Sequence, residues 1–314
     1  MLEKLAQKYG APIGVTCLIV SALLWGGEYV VAKDVLDIVP ANWCNAVRAF
    51  ITAVFAFIIW HRHFKEAKLH DWIRGLICGA LFGMGSALQL MGLETTNAGV
   101  NAFIASAYVV LVPFMVWAVE RKCPAAKVFV SALIGISGVT IMSVTGFSTG
   151  NLHIGVGEIL TLLSALGYGG AMVSADYFTE KTSVEFITAC QFIMTAVIGL
   201  IFGLLIEDVP HVTMTVPIVL EFAYLVLFGT FVTQLLFTFG VKYASANQAG
   251  VIFPLESVSA TVFGCLCLHE QLKAVQVIGG LLIIAAVVIS SVSFGKSEGP
   301  QLADSPAQSD DTSA

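Results

Sequence analysis

Two glutamates set the chemical question in this chain. Glu256 lies in the apolar run IFPLESVSATVFG, and Glu28 lies in SALLWGGEYVVAK. A carboxylate in such surroundings can bind an ammonium group, carry a proton or pair with a cation. An ionisable side chain at the centre of a bilayer costs about 2.5–3.5 kcal/mol on insertion scales, so it normally faces a partner or a cavity. Gln248, Ile252, Glu256 and Ser259 share one face at helical spacing. Trp25 sits about one turn before Glu28, and Tyr108 lies near the middle of another apolar run, on a face with Asn97 and Asn101. Gln89 and Gln234 add side-chain amides that both donate and accept. Carboxylates, aromatics and amides of this kind suit the binding of a small solute. Because burial disfavours a charged carboxyl group, Glu256 and Glu28 are also the candidates for proton coupling. The rival role for Glu28 is an ion pair with Lys33 or Arg48. Arg48 itself is read as structural, bonded to backbone carbonyls or to an acid.

The elements that must position these groups are membrane spans. The chain has 314 residues, of which 57% are hydrophobic and only 11% charged, with a mean hydropathy of +0.89. Soluble domains carry about 25% charged residues. The apolar residues come in runs of about 20, the length that crosses the hydrocarbon core as a helix. Ten runs fall near residues 12–33, 40–60, 72–93, 97–119, 126–146, 154–176, 183–206, 216–241, 246–268 and 273–293. The expected fold is therefore an all-α integral membrane protein with ten transmembrane helices. The first run continues through Trp25 and Glu28 to Lys33 without a small-residue cleavage site, which argues for a span rather than a secretion signal. Loop lysines and arginines are expected on the cytoplasmic side. With the N-terminus inside, twelve of the fifteen basic residues fall there. Residues 1–11 are read as a cytoplasmic N-terminus, and the polar, Ser/Asp/Pro-rich residues 295–314 as a disordered cytoplasmic tail. The expected location is the plasma membrane, crossed many times.

The spans also repeat. SALLWGGEYVVAK at 21–33 returns as SALGYGGAMVSAD at 164–176, an offset of 143 residues. A looser match at offset 148 joins the segment from Gly92 to the segment from Gly240. Residues 12–147 and 148–294 thus read as two five-helix units. Five is odd, so the second unit enters the membrane from the opposite side. Inverted repeats of this kind mark secondary transporters, whose site lies near the midplane between the halves. The repeat pairs Trp25 with Tyr168, each followed by Gly-Gly, and places Tyr108 opposite Glu256. The paired glycines leave room for neighbouring backbones to approach.

The segments LLWGGEYVVAK (23–33), VRAF (47–50), TTNAGVNAFIASAYVVLVPF (95–114), PLESVSATVFGCLCLHEQL (254–272) and IGGLLIIAAVVIS (278–290) are similar to the drug/metabolite transporter superfamily, in particular to EamA-type ten-helix carriers. The resemblance covers residues 12–293. It implies a carrier of small metabolites with a central cavity lined by helices 1, 3, 4, 6, 8 and 9. It also implies a helix-1 glutamate role like that of the related small multidrug resistance carriers, which exchange protons for cations. One departure stands out. Many relatives have Leu-Glu-Pro in helix 9, whereas here Ser257 follows Glu256 and Pro254 lies upstream.

The residues exclude several classes. There is no H-E-x-x-H, G-x-S-x-G or Walker A motif, so neither an enzyme nor an ATP-driven pump is expected. All six histidines fall in loops or near span ends, which argues against haem ligation, and no cofactor or metal is expected. Cys265 and Cys267 lie about 200° apart around a helix and cannot form a local metal pair; the cysteines read as small helix-packing residues. No basic arm suggests nucleic acid. Arg48 is the one cation within a span, which argues against phosphorylated sugars as cargo. The expected function is a secondary carrier working by alternating access on amino acids, amines or similar neutral, zwitterionic or cationic solutes. Export and proton coupling are the expected mode, in a monomer or homodimer. A non-transporting sensor or receptor and a passive channel remain the alternatives. The expected binding residues are Trp25, Glu28, Gln89, Asn101, Tyr108, Tyr168, Gln234 and Glu256.

Overall fold

The computed structural model describes residues 11–121, 123, 126–145, 153–213, 215–243, 252 and 254–291. The readings of residues 1–10 and 295–314 as cytoplasmic tails, of Gln248, and of the junction at 147/148 between two units lie outside these residues.

Backbone polar groups in lipid have no water to bond, so a spanning segment must satisfy them within itself. The apolar runs accordingly fold as helices. They are α1 (Ala11–Leu36), α2 (Ala41–Glu66), α3 (Leu69–Thr95), α4 (Ala98–Ser106), α5 (Tyr108–Glu120) and α6 (Ala126–Ser143). There follow α7 (Val156–Thr179), α8 (Val184–Ile206), α9 (Val216–Tyr224), a π-helical stretch Leu225–Val232 and α10 (Thr233–Tyr243). The last two are α11 (Pro254–Cys267) and α12 (Ala274–Ser291). The non-helical regular structure is one antiparallel pair, β1 (Val144–Thr145) with β2 (His153–Ile154). Among the described residues seven helical segments are long and apolar enough to cross a membrane, α4 and α5 counting as one and α9 to α10 as another. Shorter apolar helices, Ala126–Ile141, Leu255–Cys267 and Ala274–Ala286, occupy the remaining three expected spans.

Helix pairing places the interior. α3 packs along α7 and α8, α2 along α8, α1 along α10 and α11, α4 along α11, and α6 along α12. Large apolar side chains such as Phe50, Leu133 and Leu205 face outward, whereas Arg48, Gln89, Asn101, Gln191, Gln234 and Glu256 are buried. Cys44, Cys78 and Cys190 are buried between helices, as packing residues should be. Cys265 and Cys267 depart from that reading: both are exposed on the apolar surface of α11. Exposure there follows from α11 using its other side against α1 and α4.

Charged residues tie the helix ends together at one end of the bundle. The first backbone N–H groups of a helix and its last carbonyls lack partners inside the helix. Glu94 accepts from Ala41 N at 2.8 Å, and Glu207 accepts from the backbones of Asn42 and Trp43 at the start of α2. Glu270 accepts from Ala98 N at 2.8 Å at the start of α4. Glu270 thus closes a helix N-terminus, where the helix dipole favours an anion. Lys33 does the reverse work, donating to Leu93 O at 2.6 Å, Thr96 O at 2.8 Å and Glu94 O at 3.0 Å at the end of α3.

α3 and α7 also make a close backbone contact. A Cβ added at Gly167 would lie 2.7 Å from Gly85 Cα and 2.8 Å from Leu81 O, both backbone atoms that cannot rotate away. Gly167→Leu is expected to lower stability by about 1–3 kcal/mol through overpacking. Leu166→Ala, at a lipid-facing position that is 50% exposed, should change it by only about ±0.5 kcal/mol. Thermal unfolding of the two variants in the same detergent checks the difference.

Candidate functional site

The polar interior surrounds a cavity with about 70 Å³ of space for the centres of water-sized molecules. Its wall is built by α1, α2, α3, α4, α5, α7, α8, the π-helical stretch, α10 and α11. The expected lining helices are thus joined by α2, through Arg48, and by α8, through Gln191, Phe192 and Thr195. Of the eight residues expected at the site, Trp25, Glu28, Gln89, Tyr108, Tyr168, Gln234 and Glu256 line the cavity. Asn101 lies elsewhere. Its amide is buried between α4 and α7, donating to Thr161 Oγ1 at 2.8 Å and Thr96 Oγ1 at 3.0 Å. The helix face that carries Asn101 is spent on holding two helices together.

Local backbone features aim these side chains. α4 ends at Ser106 and α5 starts at Tyr108, so the chain breaks its helical register at Ala107, immediately before a wall residue. Glu256 lies in α11, two residues after Pro254. In the π-helical stretch the hydroxyl of Thr230 bonds Leu225 O at 2.7 Å, five residues back, and Thr233 bonds Phe228 O. Short π segments often sit at functional sites. This one brings Gly229 against Glu28, where a Cβ would stand 3.1 Å from Glu28 Cγ. Gly26 has a packing role as well: a Cβ there would lie 2.8 Å from Ala260 N and collide with Ser259. Gly26 therefore lets α1 meet α11 about one turn from Glu256.

Two polar networks line the cavity. In the first, the Arg48 guanidinium donates through Nη1 to the Glu28 carboxylate. Its Nε donates to Asn45 Oδ1 at 3.2 Å and its Nη2 to Ser86 Oγ at 3.4 Å, and Ser86 Oγ donates to Asn45 Oδ1 at 3.0 Å. Glu28 therefore pairs with Arg48, and Lys33 is occupied at the end of α3. In the second, Tyr168 OH donates to Gln89 Oε1, Gln89 Nε2 donates to Tyr29 OH, and Tyr29 OH donates to Glu256 Oε1 at 3.0 Å. Among the described residues no Lys, Arg or His forms an ion pair with Glu256. The Oε1 of Gln234 has no hydrogen-bond partner there either, and its Nε2 donates to Gln191 Oε1 at 3.0 Å. Aromatic rings fill the rest: Trp25 packs on Phe237 with centroids 5.0 Å apart, and Tyr168 on Phe82 at 5.4 Å.

Reading the sequence missed Tyr29, Ser86 and Gln191. Each had a signal. Tyr29 is four residues after Trp25 and so shares its helical face, Ser86 is three before Gln89, and Gln191 stands at the 143-residue offset from Arg48. Among the described residues no group of three or more His, Cys, Asp or Glu side chains is placed to hold a metal ion.

The arrangement defines a polytopic helical membrane protein with a polar, aromatic-walled cavity in its interior. The chain belongs to the EamA-like transporter family, which it matches over residues 12–144 and 155–292. It is 29% identical over 271 residues to an uncharacterized transporter of Archaeoglobus fulgidus, covering 86% of this chain and 83% of that one. It is 24% identical to the uncharacterized transporter YoaV of Bacillus subtilis, over 87% of this chain and 95% of the relative. A third relative, 23% identical over 89% of this chain and 95% of its own, is the uncharacterized inner membrane transporter YicL of Salmonella typhimurium. A solved crystal structure shares the fold with a TM-score of 0.65 at 15% identity, covering 88% of this chain and 96% of the other.

Removing one member of a buried ion pair leaves the other charge uncompensated, which costs about 3–5 kcal/mol, whereas replacing both is far milder. Arg48→Met is therefore expected to destabilise the protein strongly, and Glu28→Gln combined with Arg48→Met to recover much of the loss. A double-mutant cycle of thermal or denaturant unfolding in micelles measures the coupling.

Proposed function

We propose that the chain is a secondary transporter that carries small amine-bearing solutes through the cavity by alternating access. The observation that carries this reading is the charge balance of the wall. Glu28 is matched by Arg48, whereas Glu256 accepts from the neutral donor Tyr29 and, among the described residues, forms no ion pair. With these groups ionised the cavity holds one negative charge in excess. An ammonium group would neutralise it, and aromatic faces stabilise organic cations by about 0.5–2 kcal/mol. The carboxylate-bearing end of a zwitterion would be accommodated at Arg48, two of whose N–H bonds, to Asn45 and Ser86, run to neutral acceptors. The class is thus amines and amino acids, with sugar phosphates disfavoured.

The architecture is read as ten spans in two inverted units, residues 12–147 and 148–294, with both termini in the cytoplasm and the chain in the plasma membrane. Helix pairing supports this. The contact of α3 with α7 has its mate in that of α10 with α1, and the contact of α11 with α1 in that of α5 with α7. The family match also falls in two stretches, 12–144 and 155–292. In this orientation the glutamate-capped end of the bundle faces outward. Rocking of one unit against the other would expose the cavity to each side in turn. Glu256, with Glu28 as the second candidate, is assigned to proton coupling, and export is the assigned direction.

A thermal-shift screen of amino acids and amines on purified protein should yield stabilising solutes, since binding to the folded state stabilises it by mass action. Stabilisation should disappear in Glu256→Ala and Tyr108→Ala. Saturable, pH-dependent flux of a hit in proteoliposomes, with the pH dependence lost in Glu256→Gln, is the expected result. Binding without flux would point to a sensor, and flux that does not saturate to a channel. Cysteines introduced at Thr95 and Lys181 should label from opposite faces of the membrane; labelling from one face overturns the topology.

A further inference from the structure

We propose that Tyr29 and Gln89 are positioning residues that hold Glu256 and couple its state to Tyr168 across the cavity. The proposal rests on Glu256 being the group that binds the solute's amine or a proton.

The argument starts from donor counting. A tyrosine hydroxyl has one hydrogen, and a glutamine side chain has a donating and an accepting end. In the chain of bonds from Tyr168 to Gln89 to Tyr29 to Glu256, every donor points toward the carboxylate. Each member spends its capacity in one direction: Tyr29 accepts from Gln89 and donates to Glu256, and Gln89 accepts from Tyr168 and donates to Tyr29. That polarity suits an ionised Glu256, whose oxygens only accept.

A second arrangement of the same groups is equally complete. If Glu256 takes up one proton from the aqueous side, its new O–H can donate to Tyr29. Tyr29 then turns its hydroxyl to Gln89 Oε1, the amide of Gln89 rotates, and its NH₂ donates to the Tyr168 oxygen. The hydroxyl hydrogen of Tyr168 is released toward the cavity. No proton travels along the chain; one is gained at Glu256 and the rest is rotation. An ionised cavity thus offers a carboxylate acceptor at α11, and a protonated one offers a hydroxyl donor at α7. Hydrogen bonds in such chains polarise one another, so an intermediate orientation would leave a buried group unsatisfied.

Position adds to the argument. Tyr29 is on α1 and Gln89 on α3, whereas Glu256 is on α11 and Tyr168 on α7. The chain of bonds crosses between residues 12–147 and 148–294 at both of its ends, so its polarity acts on contacts that must change if those units rock. The titratable and charged groups that face Glu256 are Tyr29 and Glu28 from α1, Tyr108 from α5 and Tyr168 from α7; Arg48 from α2 acts through Glu28. Of these, only Tyr29 bonds the carboxylate directly.

The test is infrared difference spectroscopy with changing pH on the full-length protein in lipid nanodiscs. The bands of Glu256 are assigned by their loss in Glu256→Gln. Tyr29→Phe should displace them, and so should Tyr168→Phe, although Tyr168 makes no bond to Glu256. Leu166→Ala, next to Tyr168 but facing lipid, should leave them in place. If Tyr168→Phe does not fold, Gln89→Leu is read the same way, since Gln89 also reaches Glu256 only through Tyr29. Unchanged Glu256 bands in a folded Tyr168→Phe or Gln89→Leu protein overturn the proposal. Bands unchanged while solute flux still depends on Glu256 overturn this coupling alone. Absence of any flux with displaced bands would instead overturn the transporter reading and leave the coupling standing.

Discussion

Everything in the interior answers one constraint: a full charge cannot be left facing hydrocarbon. Glu28 and Arg48 meet this by pairing, and Asn45 and Ser86 accept two further guanidinium N–H groups. That brings α1, α2 and α3 to one point. The π-helical stretch completes the enclosure, because only Gly229 leaves room for the glutamate side chain. Glu256 satisfies the same constraint differently. It accepts from a neutral donor, Tyr29, rather than from a cation. Two acids in one cavity are thereby divided into a held charge and an open one.

The second requirement is that the open charge be reachable and yet enclosed. Close backbone contacts do the enclosing. Gly26 admits α11 next to α1, and Gly85 and Gly167 let α3 and α7 touch. At one end of the bundle, four charged residues complete helix termini that would otherwise leave polar groups unbonded: Lys33, Glu94, Glu207 and Glu270. Glu207 and Glu270 reach from the second family-matching stretch onto helices of the first. The cross-links at this end are therefore charge-assisted.

Much of the site was legible because membranes punish polar residues. A short list of buried carboxylates, amides and aromatics followed from cost alone, and seven of the eight residues on it meet at one cavity. Asn101 shows the limit of that reasoning. A polar residue on an inward face can serve helix packing as readily as a cavity, and the spacing is the same in both cases. Tyr29 shows the converse. One residue from a conspicuous glutamate, it supplies the hydroxyl bonded to Glu256, a contact between two helices that no spacing within one helix reveals.

The run lengths were enough to specify a polytopic helical chain, because hydrophobic thickness and chain length are local properties. Which cation would satisfy Glu28 was not local. Lys33 and Arg48 were both in reach by sequence, and only the packing of α3, whose end takes all three Lys33 bonds, assigned Arg48. The direction of the bonds from Tyr168 to Glu256 was likewise a tertiary matter. Four helices must meet before donors and acceptors can be counted, and no spacing within a single helix carries that information.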